Sequence, residues 1–307
     1  MKNTFKKLLI GASMVVGASA MVSVPAHAAS LTGASIGGSN LNDYFVYDVN
    51  ANNQTVKVQG SQANIQKVLA GSAASPTGNV ELAASSETSG FNFNNNTTLT
   101  GQIGGKNITL SSLTASDWTS NVGGGLTFAQ KWFNDALTAN GFGSIIGSSN
   151  VLAQGIYNAA LVKFNTTGGR QRFSDPNISY VNQNDNTGEI KIGLAGHFDA
   201  TSLLFSGLST QQQGLVNTFR TKAGPIQASE IVKVSYNGGP SQLLYSFSAT
   251  QSGLVAADDN RSHNGNYEVS FQGVRPTQAV PEPSVMLGML SVAGAFAVRR
   301  KLKKVQA

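Results

Sequence analysis

The chain has 307 residues, a formal net charge of +6 and no cysteine, so disulfides and thiolate chemistry are excluded. Charged residues make up 12 %, against about 25 % in ordinary soluble proteins, and the polar load falls on Ser, Thr, Asn, Gln and Gly. Eight of the 21 Lys and Arg lie in residues 1–28 and 280–307, which leaves 13 against 14 Asp and Glu and a net charge of −1 in between. No basic run remains to support nucleic-acid binding, and that class is excluded.

Lys2, Lys6 and Lys7 form a positive n-region, and Leu8 to Val24 is apolar and small. Ala26-His27-Ala28 is an A-x-A site. This order predicts a secretory signal peptide over residues 1–28, cut after Ala28 by signal peptidase once the translocon is engaged.

Residues 29–279 form the predicted exported body. Its 40 % hydrophobic content, counted over the whole chain, and its amphipathic segments argue against wholesale disorder. At about 250 residues it can build a core without disulfide staples. Ser30 to Ser39 reads as a small, polar start. Asp43 to Val49 and Gln54 to Val58 read as a strand pair, and Ser61 to Ala70 as a short helix. Asn79 to Ala83, Thr98 to Ile103 and Lys106 to Leu113 read as strands, the last two joined by a Gly104-Gly105 hairpin turn. Gly123 to Gly125 marks a possible subdivision.

Phe128 to Ala139 is the clearest helix, with Thr127 as N-cap and Phe128, Trp132, Phe133, Ala136 and Leu137 on one face. A second helix is predicted from Asn150 to Val162, capped by Ser149, with Leu152, Ile156, Ala159 and Val162 facing in. Ile178 to Val181 and Glu189 to Leu194 follow as strands. A third helix spans Thr210 to Lys222, with Leu215, Val216 and Phe219 as its apolar face. Glu230 to Tyr236 and Gln242 to Ser248 form a hairpin, and Asn266 to Phe271 is the last strand. The pattern predicts an α+β body, mostly antiparallel, with about three helices. A β-sandwich is the alternative.

The tail is the most specific part of the sequence. Pro281-Glu282-Pro283 stands before an apolar run, Val285 to Val298, which ends at Arg299, Arg300, Lys301, Lys303 and Lys304. Ser284 to Val298, as a helix, spans about 22 Å, short of the roughly 30 Å hydrocarbon core. The basic block holds the C-terminus in the cytoplasm. This order resembles the PEP-CTERM sorting signal of Gram-negative bacteria. The resemblance implies an exosortase that reads Pro281, Glu282 and Pro283 in the inner membrane, with Arg299, Arg300 and Lys301 as the cytoplasmic stop. It implies a surface or matrix location and an association with exopolysaccharide. The body itself is assigned to no family.

Catalytic constellations are weak. Gly33-Ala34-Ser35-Ile36-Gly37 matches a nucleophile elbow as a string but lacks room for a preceding strand. His197, Asp199 and His263 suggest a hydrolase or metal site only if they converge. Their spacing fits no metal motif, and the expectation is an edge histidine and a solvated loop. Asn182 to Glu189 and Asp258 to Asn266 are rich in oxygen donors, yet the first fails the calcium-loop pattern. No metal and no cofactor is expected. Phe173, Asp175, Asn177 and Tyr180 offer a sugar-binding combination, with a turn feeding a strand as the plain reading. Seven Asn-x-Ser/Thr sites, at Asn53, Asn95, Asn96, Asn107, Asn165, Asn177 and Asn260, are chance matches in an Asn-rich chain. The sequence therefore predicts an exported, non-catalytic surface protein. A carbohydrate-binding or adhesion module is the alternative, and a secreted hydrolase stands third.

Overall fold

Strand-forming alternation and tight glycine turns dominate the body, and the chain answers with two sheets. The computed structural model describes residues 28–276 apart from 167, 206 and 207. The first strands are β1 (Ala28–Ser30), β2 (Thr32–Gly38), β3 (Tyr44–Val49) and β4 (Gln54–Val58), followed by helix α1 (Gln62–Val68). Then come β5 (Gly78–Leu82), β6 (Thr97–Ile103) and β7 (Lys106–Ser111). A helical stretch follows, with α2 (Ala115–Thr119), α3 (Phe128–Ala139), α4 (Val151–Thr166) and α5 (Gly169–Arg172). Next are β8 (Asn177–Asn184), β9 (Glu189–Gly196), α6 (Thr201–Leu204) and α7 (Thr210–Ala223). The chain closes with β10 (Val232–Tyr236), β11 (Gln242–Leu244), β12 (Ala249–Gln251), β13 (Val255–Ala256) and β14 (Gly265–Gln272).

The larger sheet runs β12-β14-β9-β8-β5-β3-β4-β13, with β1 beside the far half of β8. The smaller runs β11-β10-β7-β6-β2. Every pairing is antiparallel except β13 with β4. Inward residues of both sheets meet in one core. Val46, Val80, Ile178, Ile192, Leu194 and Tyr267 come from the larger sheet, and Leu99, Leu110, Val232 and Val234 from the smaller. The two sheets thus share one core, and antiparallel strands with one buried face account for the alternation read in sequence. Leu31, 1 % exposed, sits where the chain crosses from one sheet to the other, its N–H donating to the Val181 carbonyl at 3.0 Å.

A second core holds the helices. Trp132 of α3 lies 4.6 Å from Phe173, stacks on Phe164 of α4 at 5.3 Å, and meets Trp118 of α2 edge-on at 5.8 Å, centroid to centroid. Ile231, just before β10, and Leu243 and Tyr245, on and just after β11, complete this cluster. Such aromatic pairs add about 0.5–1.5 kcal/mol each beyond their burial.

The described residues carry seven α-helices, not about three, because α2, α5 and α6 are single turns too short to show a period. α4 also corrects its predicted face. Ile156, Ala160 and Phe164 are buried, whereas Leu152 and Val162 are 49 % and 57 % exposed. Its N-terminus is capped by Asn150, whose Oδ1 accepts from the N–H of Leu152 and Ala153, rather than by Ser149. In α7 Val216 is buried and Leu215 is 41 % exposed; the Phe219 side chain lies outside the described set.

The described residues through Arg275 form one compact unit. Within it Gly123 to Gly125, all at positive φ, make a tight turn closed by Leu126 N–H donating to the Gly123 carbonyl. The start read as small and polar is β2, paired with β6. Among the described residues no helix is long and apolar enough to cross a membrane. The expected span, Ser284 to Val298, lies outside the described residues.

Candidate functional site

One broad cleft of about 960 Å³ opens where β9 ends. Its walls are α6, α7 and the loop 258–264, with Arg172 at the end of α5. His197 follows β9 directly, and its carbonyl accepts from the Tyr267 hydroxyl at 2.6 Å. The next residue continues the β9–β14 pairing, with Phe198 N–H donating to Asn264 Oδ1 at 2.7 Å. Burial disfavours the imidazolium and pulls the His197 pKa below its ordinary value.

Asp199 starts α6. Its Oδ1 accepts from Thr201 N–H at 3.1 Å and from Thr201 Oγ1 at 2.5 Å, and its Oδ2 pairs with Arg220 of α7. Asp259 is consumed by its own loop. Its Oδ1 accepts from the N–H of Arg261 at 2.8 Å and of Ser262 at 2.9 Å, and its Oδ2 from the Ser262 hydroxyl. Burial pushes the Asp259 carboxyl up, but these hydrogen bonds outweigh it and hold the pKa below the usual carboxylate value.

His197 and Asp199 therefore share the cleft. His263 does not join them. It is 5 % exposed, at φ 63°, with Nδ1 2.7 Å from Thr55 Oγ1 and its ring edge-on to Tyr47 at 4.8 Å. Burial pulls its pKa down to about 4. The loop is exposed from Ala257 to Arg261 as expected, but its histidine is not: Ala256 N–H donates to the Ser262 carbonyl and Ser252 Oγ to the His263 carbonyl, which folds His263 inward.

The sugar-binding combination read from the sequence does not assemble either. Phe173, Asp175, Asn177 and Tyr180 are all buried. Phe173 belongs to the aromatic core, and Tyr180 donates to Glu268 Oε2 at 2.9 Å. Asp175 instead belongs to a group of carboxyls not singled out in the sequence, with the half-buried Glu81 on β5 and Glu230 before β10, and Asn177 bonds to Glu230. Tyr47 donates to Glu81 Oε2 at 3.1 Å, and Ser86 Oγ donates to Asp175 Oδ2. Burial raises all three carboxyl pKa values, that of Glu81 to about 8; the Glu81 charge adds to the rise of Asp175, and the Asp175 charge to that of Glu230. The alternation of β5, with Val80 and Leu82 inward, was the one local signal for Glu81.

The chain matches no protein-family model, no curated protein and no solved structure. Among the described residues no three His, Cys, Asp or Glu group to hold a metal ion. The Asn182 to Glu189 segment is the turn between β8 and β9, with Asn184 Oδ1 accepting from Asn186 and Thr187 N–H. Ser35 of the glycine-rich string sits on β2 opposite Thr100, not on an elbow. Ala28 opens β1 opposite Asn184, and a cut after it leaves Ala29 and Ser30 to pair with Gln183 and Asn182. Ala26, Pro281, Glu282, Pro283, Arg299, Arg300 and Lys301 lie outside the described residues.

Proposed function

We propose that this chain is an exported, non-catalytic cell-surface or matrix protein whose tail is a PEP-CTERM sorting signal read by an exosortase. The observation that carries the reading is the order of the last residues: Pro281-Glu282-Pro283, an uncharged apolar run, then a basic block. The n-region and A-x-A site at the other end support it independently. Signal peptidase and the translocon deliver the body, and the inner membrane holds the tail until the triplet is read. The strand-rich body, with a net charge of only −1, fits life outside the cytoplasm without disulfides. Changing Pro281 and Pro283 to Ala tests the reading. Export should continue while the protein stays in the inner membrane with its basic end attached. Normal release of the double variant would count against an exosortase.

The cleft favours a second reading, a carbohydrate-binding module. Its rim carries Gln213, Asn217, Asn260 and Asn264 beside three arginines, a lining that hydrogen-bonds hydroxyls. Hydrolysis is less well supported, because Asp199 is committed to Thr201 and Arg220 and His263 faces Tyr47 and Thr55.

A further inference from the structure

The cleft has an imbalance between donors and acceptors. Its two carboxylates are spent: Asp199 on Thr201 and Arg220, Asp259 on Arg261 N–H and Ser262. Asn264 Oδ1 is spent on Phe198 N–H. The donors are not. A guanidinium carries several N–H groups in a planar fork. Arg172 gives one nitrogen to Glu87, Arg220 gives one to Asp199, and Arg261, exposed on the rim, has no ion pair among the described residues. His197 is held towards its neutral form by burial and supplies no competing fixed charge.

The three arginines are far apart in sequence, at 172, 220 and 261, so no basic run announces them. The fold gathers them around one opening through α5, α7 and the 258–264 loop. A ligand matching this lining is rich in acceptors and carries at least one planar anion, for which an arginine fork is the best complement. The cleft is wide and half open, with amides and hydroxyls on its rim and Leu203 on its wall. Its volume is at the upper end of ordinary ligand sites, too large for a small inorganic anion alone and suited to linked rings bearing hydroxyls.

We propose that the cleft binds a carboxylate-bearing oligosaccharide, with Arg261 as the principal carboxylate partner and Arg172 and Arg220 beside it. The inference deepens the carbohydrate-binding reading and does not depend on how the tail is processed.

The test is calorimetric titration of the full-length protein in detergent with three probes: oligogalacturonate, a neutral dextran oligomer of equal length, and oligoglutamate. Oligogalacturonate alone should bind, more weakly as salt rises. Arg261→Ala should weaken it about tenfold or more, the scale of a lost charge-assisted pair. Arg261 is exposed and unpaired, so this variant should fold as wild type, checked by an unchanged melting temperature. Absence of oligogalacturonate binding overturns the proposal. So does equal binding of dextran, equal binding of oligoglutamate, or full affinity in Arg261→Ala. The sorting reading fails separately, on the fate of the tail, and survives each of these outcomes.

Discussion

The backbone N–H of Asn177 donates to the Glu230 carboxylate at 2.7 Å, and the Asn177 side-chain amide lies 3.3 Å from both of its oxygens. A residue at the start of β8 thereby depends on one just before β10, across the two sheets. Glu230 is half-buried, and desolvation first and Asp175 second raise its pKa. The carboxyl serves as the hydrogen-bond acceptor for Asn177. Glu230→Ala is expected to cost about 1–3 kcal/mol, since it strands a buried N–H, and Glu230→Gln much less. Urea denaturation of the two variants checks the order.

The raised carboxyl pKa values fix the sign of a pH effect. Glu81 titrates near 8 in the folded chain but near 4 when unfolded, so unfolding releases a proton between those limits. Its stabilising contribution is complete below the unfolded pKa and is lost as pH rises through 8. A single retained proton costs up to about 1.4 kcal/mol per pH unit in that window. Melting temperature should fall between pH 6.5 and 8, and Glu81→Gln should flatten that limb.

His263 gives the opposite slope. Its folded pKa lies at about 4 against an ordinary 6.5, so its contribution is complete above 6.5 and is lost as pH falls towards 4. Replacing it with Asn, which tolerates the positive φ of 63°, should remove this acid-side loss while lowering stability at neutral pH through the lost Thr55 bond. Thermal melts across pH 4 to 7 separate the two effects.

Gly193 lies under the Tyr180 ring. A Cβ there would sit 2.1 Å from Tyr180 Cε1 and 2.5 Å from Ser179 Oγ. Ser179 is the extra residue of a β-bulge between β8 and β9, and the ring fills the strip left by the glycine to reach Glu268. Gly193→Ala should push Tyr180 off Glu268 and cost about 1–3 kcal/mol. Pairing it with Tyr180→Ala should cost less than the sum of the two single changes, measured by a double-mutant cycle.

These cases show what the sequence made legible. Phe128 to Ala139 emerged with its predicted bounds, Thr127 cap and buried face, because polar and apolar positions alternate there with a helical period. The Gly104-Gly105 hairpin emerged for a similar local reason, both glycines at positive φ. α4 lost its phase because Val151, Leu152, Ile156, Ala160 and Val162 make it apolar on every side. β2 was hidden because its glycines and serines gain their strand character from pairing with β6. The cleft and the carboxyl cluster were illegible for one shared reason. Arg172, Arg220 and Arg261, like Glu81, Asp175 and Glu230, are neighbours only after long-range sheet pairing has formed.

The central claim, export followed by removal of the tail, is tested most directly by mass spectrometry of the protein isolated from its native envelope. The account predicts a mature chain that begins at Ala29 and ends near Pro281 to Pro283. A chain that still carries Met1, or that retains Arg299 to Ala307, would contradict it.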